Sequence, residues 1–232
     1  RRCLKETATE HPDGTTTLDN GRIRATIDQR GLLTSVLDLD TGREALAPGQ
    51  PGNLLQLHPD HPNAWDAWDL DEFYRHQGHD LTDTDRTTLD GTTLTVHRTF
   101  GNSTLVQRLH LHGHTLHIDT DIDWRETEKI LKAAFPLDVH ADRSTAETQF
   151  GHIHRPTHTN TTWDAAKFEI CAHRWLHLGE HHYGHALIND STYGHDVTRH
   201  TRPDGGGGGY VGHPVGARRD WPGSRASWRG WG

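Results

Sequence analysis

The chain has 232 residues, with 24 Lys and Arg against 32 Asp and Glu, giving a formal net charge of -8 with histidine neutral. That balance makes nucleic acid a poor partner class, and the absence of any run of about 18 apolar residues excludes a helical membrane span. Only 31% of the residues are hydrophobic and 24 are glycine, so a core can occupy only part of one large domain or two small ones.

The opening "RRCLKETATE" lacks an apolar stretch and does not read as a signal peptide. Asn20–Gly21 separates "TTTLD" from "RIRATID" and predicts a hairpin. "QRG" turns the chain into "LLTSVLDL", and Asp40–Thr41–Gly42 turns it again. Residues 48–85, with prolines at 48, 51, 59 and 62, read as one long functional loop. The runs "TTLTVHRTF", "STLVQRLHLHG" and "TLHIDTDIDW" follow, then "KAAFPLDVHA", "AETQFGHIH", "KFEICAHRWLHL" and "HALIND". Apolar and polar residues alternate in the first three, and Thr, Val, Leu and Ile abound, as in antiparallel strands with one buried face. The expected fold class is all-β, an antiparallel β-sandwich over residues 1–204.

Residues 205–232 differ in kind. Ten of these 28 are glycine, four arginine and three tryptophan, with no Leu, Ile or Phe. They are expected to form a disordered Gly/Arg/Trp-rich tail. Their G- and C-rich codons suit a shifted reading frame, with a flexible RNA-binding-like segment as the alternative. No methionine occurs anywhere, and this reads as an internal piece of something longer. Cys3 and Cys171 make no disulfide framework. Cys171, in "FEICAHRW", is expected as a small buried side chain.

The stretch "PNAWDAWDLDEF" sets large rings among carboxylates, a pairing that suits sugars: C–H faces stack on rings and hydroxyls bond to carboxylates. Trp65, Asp66, Trp68 and Asp69 are therefore candidate carbohydrate contacts. "TNTTWD" repeats the pattern, and Arg155, Asn160, Trp163 and Asp164 join the candidates, with Glu147, Gln149 and Lys167 nearby. The bland reading of Trp163 is core packing, and that of Trp65 and Trp68 is an interface with another domain. Histidine numbers 22. "HLHGHTLH" (His110, His112, His114, His117) and "GHIHRPTH" (His152, His154, His158) have the H-x-H form that puts two imidazoles on one strand face. Because the histidines are spread over the whole chain, a solvent-facing stripe is the expected reading and a metal site the alternative. No Ser/His/Asp motif, phosphate loop or H-E-x-x-H occurs.

From roughly Leu18 to Val197 the sequence resembles glycoside hydrolase family 38, the α-mannosidases. "NLLQLHPDHPNAWDAWDLD", "LKAAFPLDVHADRSTAETQFGHIHRPTHTNTTWDAAKFEICAHRW" and "YGHALINDSTYGHD" carry the resemblance. "WDAWD" looks most like the cytosolic and vacuolar branch and its bacterial relatives, which implies a cytoplasmic setting. The resemblance implies the galactose-mutarotase-like C-terminal β region of a retaining α-mannosidase. It also implies that the nucleophile and the zinc or other divalent ion belong to an N-terminal catalytic domain with no counterpart here. This chain would then bind no metal and have no catalytic residue. It would be incomplete at its C-terminal end and inactive alone, with that domain and an α-mannoside as partners. The alternatives are a free-standing carbohydrate-binding module and a histidine-rich metal-binding protein.

Overall fold

The computed structural model describes residues 5–65, 69–201, 207–214 and 225–229, and from residue 201 onward the backbone alone. Strands β1 (Thr7–Glu10), β2 (Thr16–Asp19), β3 (Ile23–Ile27), β4 (Leu33–Asp38) and β5 (Arg43–Glu44) pair in chain order as a five-stranded meander. The β2–β3 hairpin turns at the expected place. Gly21 has a φ of 76°, and Asn20 Oδ1 accepts from the backbone N–H of Arg22 and Ile23 at 3.0 and 2.9 Å.

The chain then makes β6 (Leu54–Pro59), a 3-10 turn at Glu72–Gln77 and β7 (His79–Leu81). Next come β8 (Arg86–Asp90), β9 (Thr93–Phe100), β10 (Ser103–His112), β11 (Thr115–Asp123), β12 (Lys129–Leu137), β13 (Arg143–Thr148) and β14 (Gly151–Pro156). A short helix α1 (Thr162–Ala165) precedes β15 (Ile170–Cys171), β16 (Trp175–Glu180), β17 (Tyr183–Asn189), β18 (Gly194–Thr201), β19 (Gly207–Pro214) and β20 (Arg225–Arg229). A nine-stranded sheet runs β14-β13-β16-β17-β20-β11-β10-β9-β8, and a six-stranded sheet runs β15-β18-β19-β12-β6-β7. Neighbours pair antiparallel, as the alternating sequence pattern predicts.

Three expectations are corrected. The segment 48–85 is not one loop: "LLQLHP" is β6, pairing with β12 from Lys129↔Pro59 to Ala134↔Leu54, because its prolines bracket the strand rather than interrupt it. Residues 207–214 and 225–229 are strands rather than disordered tail; β19 lies between β18 and β12, since a ladder needs only backbone N–H and C=O groups. Cys171 is exposed, because it ends a two-residue strand rather than lying inside a covered one.

One apolar cluster fills the space between the sheets, joining Leu18, Ile27, Leu33, Leu55, Leu94, Leu105, Leu109, Leu116, Leu131 and Leu176. β10 alternates buried and outward residues, whereas β12 is buried along nearly its whole length. Arg98 lies inside the cluster at 1% exposure. It donates to the carbonyls of Asp83 at 2.8 Å and of Arg30, pinning the turn before β4 and the segment before β8 to β9. Burial brings its pKa down to about 10. Gly31 approaches this head group closely: its φ is +72°, and an added Cβ would lie 2.6 Å from Val96 Cγ1 and 3.1 Å from Arg98 Nη2. Gly31→Ala is therefore expected to cost about 2–4 kcal/mol, combining left-handed strain with overpacking. A urea midpoint unchanged from the parent would show that the turn relaxes without strain.

Candidate functional site

The stretches that follow the two tryptophan–acid segments in the chain meet beside the six-stranded sheet. The first leads into the turn Glu72–Gln77 and the second runs through α1 into β15. Tyr74 Oη hydrogen-bonds to Glu169, and Arg75 Nη2 donates to the Phe168 carbonyl at 2.7 Å. The Arg75 guanidinium also lies 5.6 Å from the Phe168 ring centroid.

Trp65 is 77% exposed and Trp163 80%, so the packing of Trp163 into the sandwich that its composition allowed does not occur. Trp65 has a φ of 62°, a strained conformation for a bulky residue. Its carbonyl accepts from the Asp69 N–H at 3.0 Å. Asp66 and Trp68 lie outside the described residues. Asp71 closes this loop by accepting from the backbone and side-chain amides of Asn63 at 2.9 and 2.7 Å.

Asp164 has a local job. Thr161 Oγ1 donates to its carboxylate at 2.7 Å and accepts from its backbone N–H at 3.1 Å, which caps α1. Those Thr161 bonds hold its pKa below the usual carboxylate range. Asn160 is exposed one residue before this cap. Arg155 stands apart on the edge strand β14, where partial burial lowers its pKa and its Nη1 has no hydrogen-bond partner. Glu147 and Gln149 instead line a cavity of about 670 Å³ with His173, Arg174 and Tyr193. Arg174 N–H donates to Glu147 Oε2 at 2.9 Å.

What holds the turn Glu72–Gln77 to Glu169 and Asp196 is a buried network that the sequence reading did not single out. Lys132, from the middle of β12, is 2% exposed. Its Nζ donates to Tyr74 Oη at 2.6 Å, to Glu169 Oε1 at 2.7 Å and to Asp196. Arg75 Nη2 lies 3.7 Å from the other Asp196 oxygen. Burial opposes charge on Lys132, but Asp196 and Glu169 outweigh it and raise its pKa. Burial also raises Glu169, and pushes Tyr74 up to about 12.

The histidine stripes are surface features. His110 and His117 are cross-strand partners whose rings stack at 4.7 Å, and His112 and His114 are exposed beside them. Among the described residues no three His, Cys, Asp or Glu side chains are grouped to hold a metal ion. The zinc implied by the family resemblance therefore has no fitting ligand set in the described part of this chain. No helix among the described residues is long and apolar enough to cross a membrane.

An antiparallel β fold is what the family resemblance implies for the C-terminal region of an α-mannosidase. Residues 18–205 match the glycosyl hydrolases family 38 C-terminal domain, and the chain belongs to that family. It is similar to alpha-mannosidase 2C1 of Homo sapiens, 41% identical over 197 residues, which are 81% of this chain and 19% of that protein. Alpha-mannosidase G of Dictyostelium discoideum is 33% identical over 205 residues, 82% of this chain and again 19% of the relative. The chain thus spans about a fifth of the length of these relatives. In fold it resembles an alpha-mannosidase from Enterococcus faecalis V583, with a TM-score of 0.69 at 12% identity over 97% of this chain and 29% of that one. A putative aldose 1-epimerase from Escherichia coli K12 matches at a TM-score of 0.52 and 11% identity, over 98% of both chains. The galactose-mutarotase-like architecture expected from the sequence is thus the one observed.

Proposed function

We propose that this chain serves an α-mannosidase as its β scaffold and contributes the rim of the carbohydrate site. Hydrolysis itself would depend on a catalytic domain of the kind that the rest of such a relative carries, and a cytoplasmic setting goes with the "WDAWD" resemblance. The observation that supports the reading is the exposure of Trp65 and Trp163, each on a stretch of chain that runs on to the Tyr74–Glu169–Lys132 network. Exposed rings are costly for a free surface, and Trp65 keeps a strained backbone besides; a ligand or partner surface explains both. Trp65 and Trp163 would stack on sugar faces, with Asp69 and Asn160 beside them for hydroxyls. A packing role against the catalytic domain fits the same exposure and is separated from the rim role by experiment.

The purified chain, given an aryl α-mannoside and zinc or cobalt, is expected to show no turnover above buffer. Turnover that survives removal of contaminating enzymes would refute the scaffold role. Methyl α-mannoside should shift the indole resonances of Trp65 and Trp163. Trp163→Ala should weaken that binding about fivefold, since ring stacking is worth roughly 1 kcal/mol. Unmoved indoles at saturating sugar would leave these tryptophans as packing anchors.

A further inference from the structure

The cavity of about 670 Å³ lies where four pieces of chain converge: the β13–β14 hairpin, residues 173–174, the end of β17 and the turn that follows it. Its volume falls in the range of about 300–1,000 Å³ usual for small-molecule clefts. None of its lining residues belongs to the tryptophan rim or to the Lys132 network.

Backbone bonds fix its walls. His173 N–H donates to the Glu147 carbonyl at 3.1 Å, and Arg174 N–H donates to Glu147 Oε2 at 2.9 Å. Asn189 N–H donates to the Arg174 carbonyl at 2.8 Å. Asn189 Oδ1 accepts from the backbone N–H of Ser191 and Thr192 at 3.2 and 3.0 Å. The side chains that reach solvent are not used in this framework. Arg174 and Gln149 are exposed, and Tyr193 is 60% exposed, its ring held 5.1 Å from that of His173. Among the described residues, no protein group bonds to the Arg174 guanidinium, the Gln149 amide or the Tyr193 hydroxyl.

These groups define the ligand. Arg174 shares the cavity with the carboxylates of Glu147 and Asp190. A free anion would meet the carboxylates and a free cation the guanidinium, so a neutral molecule suits the charge pattern. The guanidinium only donates, whereas the amide and the phenol both donate and accept, so the ligand must do both. Tyr193 and the part-exposed Ile188 ask for an apolar face as well. A saccharide meets each condition, with C–H faces for the ring and hydroxyls for the polar groups. The hairpin tip adds a second ring. Phe150, next in the chain to Gln149, is fully exposed with a φ of 68°, a backbone conformation that glycine would hold without strain. We propose that this cavity is an accessory site for a neutral disaccharide, one unit lying on Tyr193 with its hydroxyls bonded to Arg174 and Gln149, and the adjoining unit meeting Phe150 at the rim. The site is independent of the tryptophan rim and stands or falls separately.

The test follows the Arg174 Nε–H and Gln149 side-chain amide resonances by ¹⁵N NMR in the whole chain. α-Linked mannobiose, cellobiose, glycylglycine and inorganic phosphate are added in turn to about 10 mM, above the roughly 1 mM dissociation constant typical of so small a polar ligand. A disaccharide should move both resonances, and glycylglycine and phosphate should move neither. Tyr193→Ala should weaken binding about fivefold through the lost ring contact, and Arg174→Gln about tenfold through the lost charge-assisted bond. Phe150→Gly should weaken it about threefold without lowering the urea midpoint, since it removes the strain together with the ring. Retained methyl shifts in the core show that each variant is folded. Three outcomes overturn the proposal: no disaccharide moves the two resonances; glycylglycine or phosphate moves them in its place; or the indoles of Trp65 and Trp163 respond while Arg174 and Gln149 do not.

Discussion

Replacing Lys132 with alanine is expected to destabilise the chain by about 3–5 kcal/mol at neutral pH, the cost of leaving buried carboxylates without their cation. The Lys132 side chain is 3% exposed, and those of Glu169 and Asp196 are 16% and 7% exposed. Without the ammonium, two negative groups and a phenol face one another in a site that water reaches poorly. Neutralising Lys132 with its two carboxylates, as Lys132→Met with Glu169→Gln and Asp196→Asn, should cost less than the single change, because no buried carboxylate is then stranded and the Arg75 left behind is 27% exposed. The single variant has a second signature. Burial already raises Glu169 in the parent and loses the opposing Lys132 charge in the variant, so the variant's folded state binds an extra proton there and its deficit against the parent shrinks as pH falls towards the carboxylate range. Urea midpoints at neutral and mildly acid pH measure both effects. A single-variant loss under about 1 kcal/mol, comparable to a surface pair, would mean that water already solvates these groups. The same variant should loosen the turn Glu72–Gln77 and the segment before β15 without freeing them, since the bonds through Lys132 go while the direct Tyr74–Glu169 and Arg75–Phe168 bonds remain.

The network shows where sequence legibility stops. β9, β10 and β11 could be read because each alternates along its length, and period-2 patterning is what a half-buried strand requires. β6 was obscured by flanking prolines. β19 was obscured by "GGGG", where no side-chain pattern exists and backbone pairing with β18 and β12 alone defines the strand. Lys132 did leave a trace, as the one charge inside "ILKAAFPL". A lysine in a fully covered strand must find partners. Those partners lie 58, 37 and 64 residues away, and no local pattern names them. The aromatic–acid segments stood out in the sequence, yet their chemistry divides on inspection. Trp163 is exposed, while Asp164 is bonded twice to Thr161, the N-cap of α1, a role already written in Thr161-x-x-Asp164.

Acid should unfold the chain well above the carboxylate range, and buried histidines are the reason. His195 is fully buried and His185 is 7% exposed. Burial lowers the pKa of each from 6.5 to about 4, with Lys132 adding to the effect at His195 and Arg43 and His177 at His185. A histidine with a lowered folded pKa favours the fold fully above pH 6.5. Below that, the unfolded chain takes up a proton that the folded chain refuses until about pH 4, so stability falls with pH across this window. Each site is worth about 3 kcal/mol over the interval, at 1.36 kcal/mol per pKa unit. His58, also lowered by burial, acts in the same direction. Carboxylates with lowered folded values, such as Glu126 and Glu180, act below about pH 4.5, so the two effects separate on the pH axis. Stability measured by urea at pH 7, 6 and 5 should fall steeply, and the double variant His185→Gln/His195→Gln should flatten most of that slope while staying folded at pH 7. If the double variant keeps the parent slope, these imidazoles already take up protons in the folded chain, and their burial would have to be partial in solution.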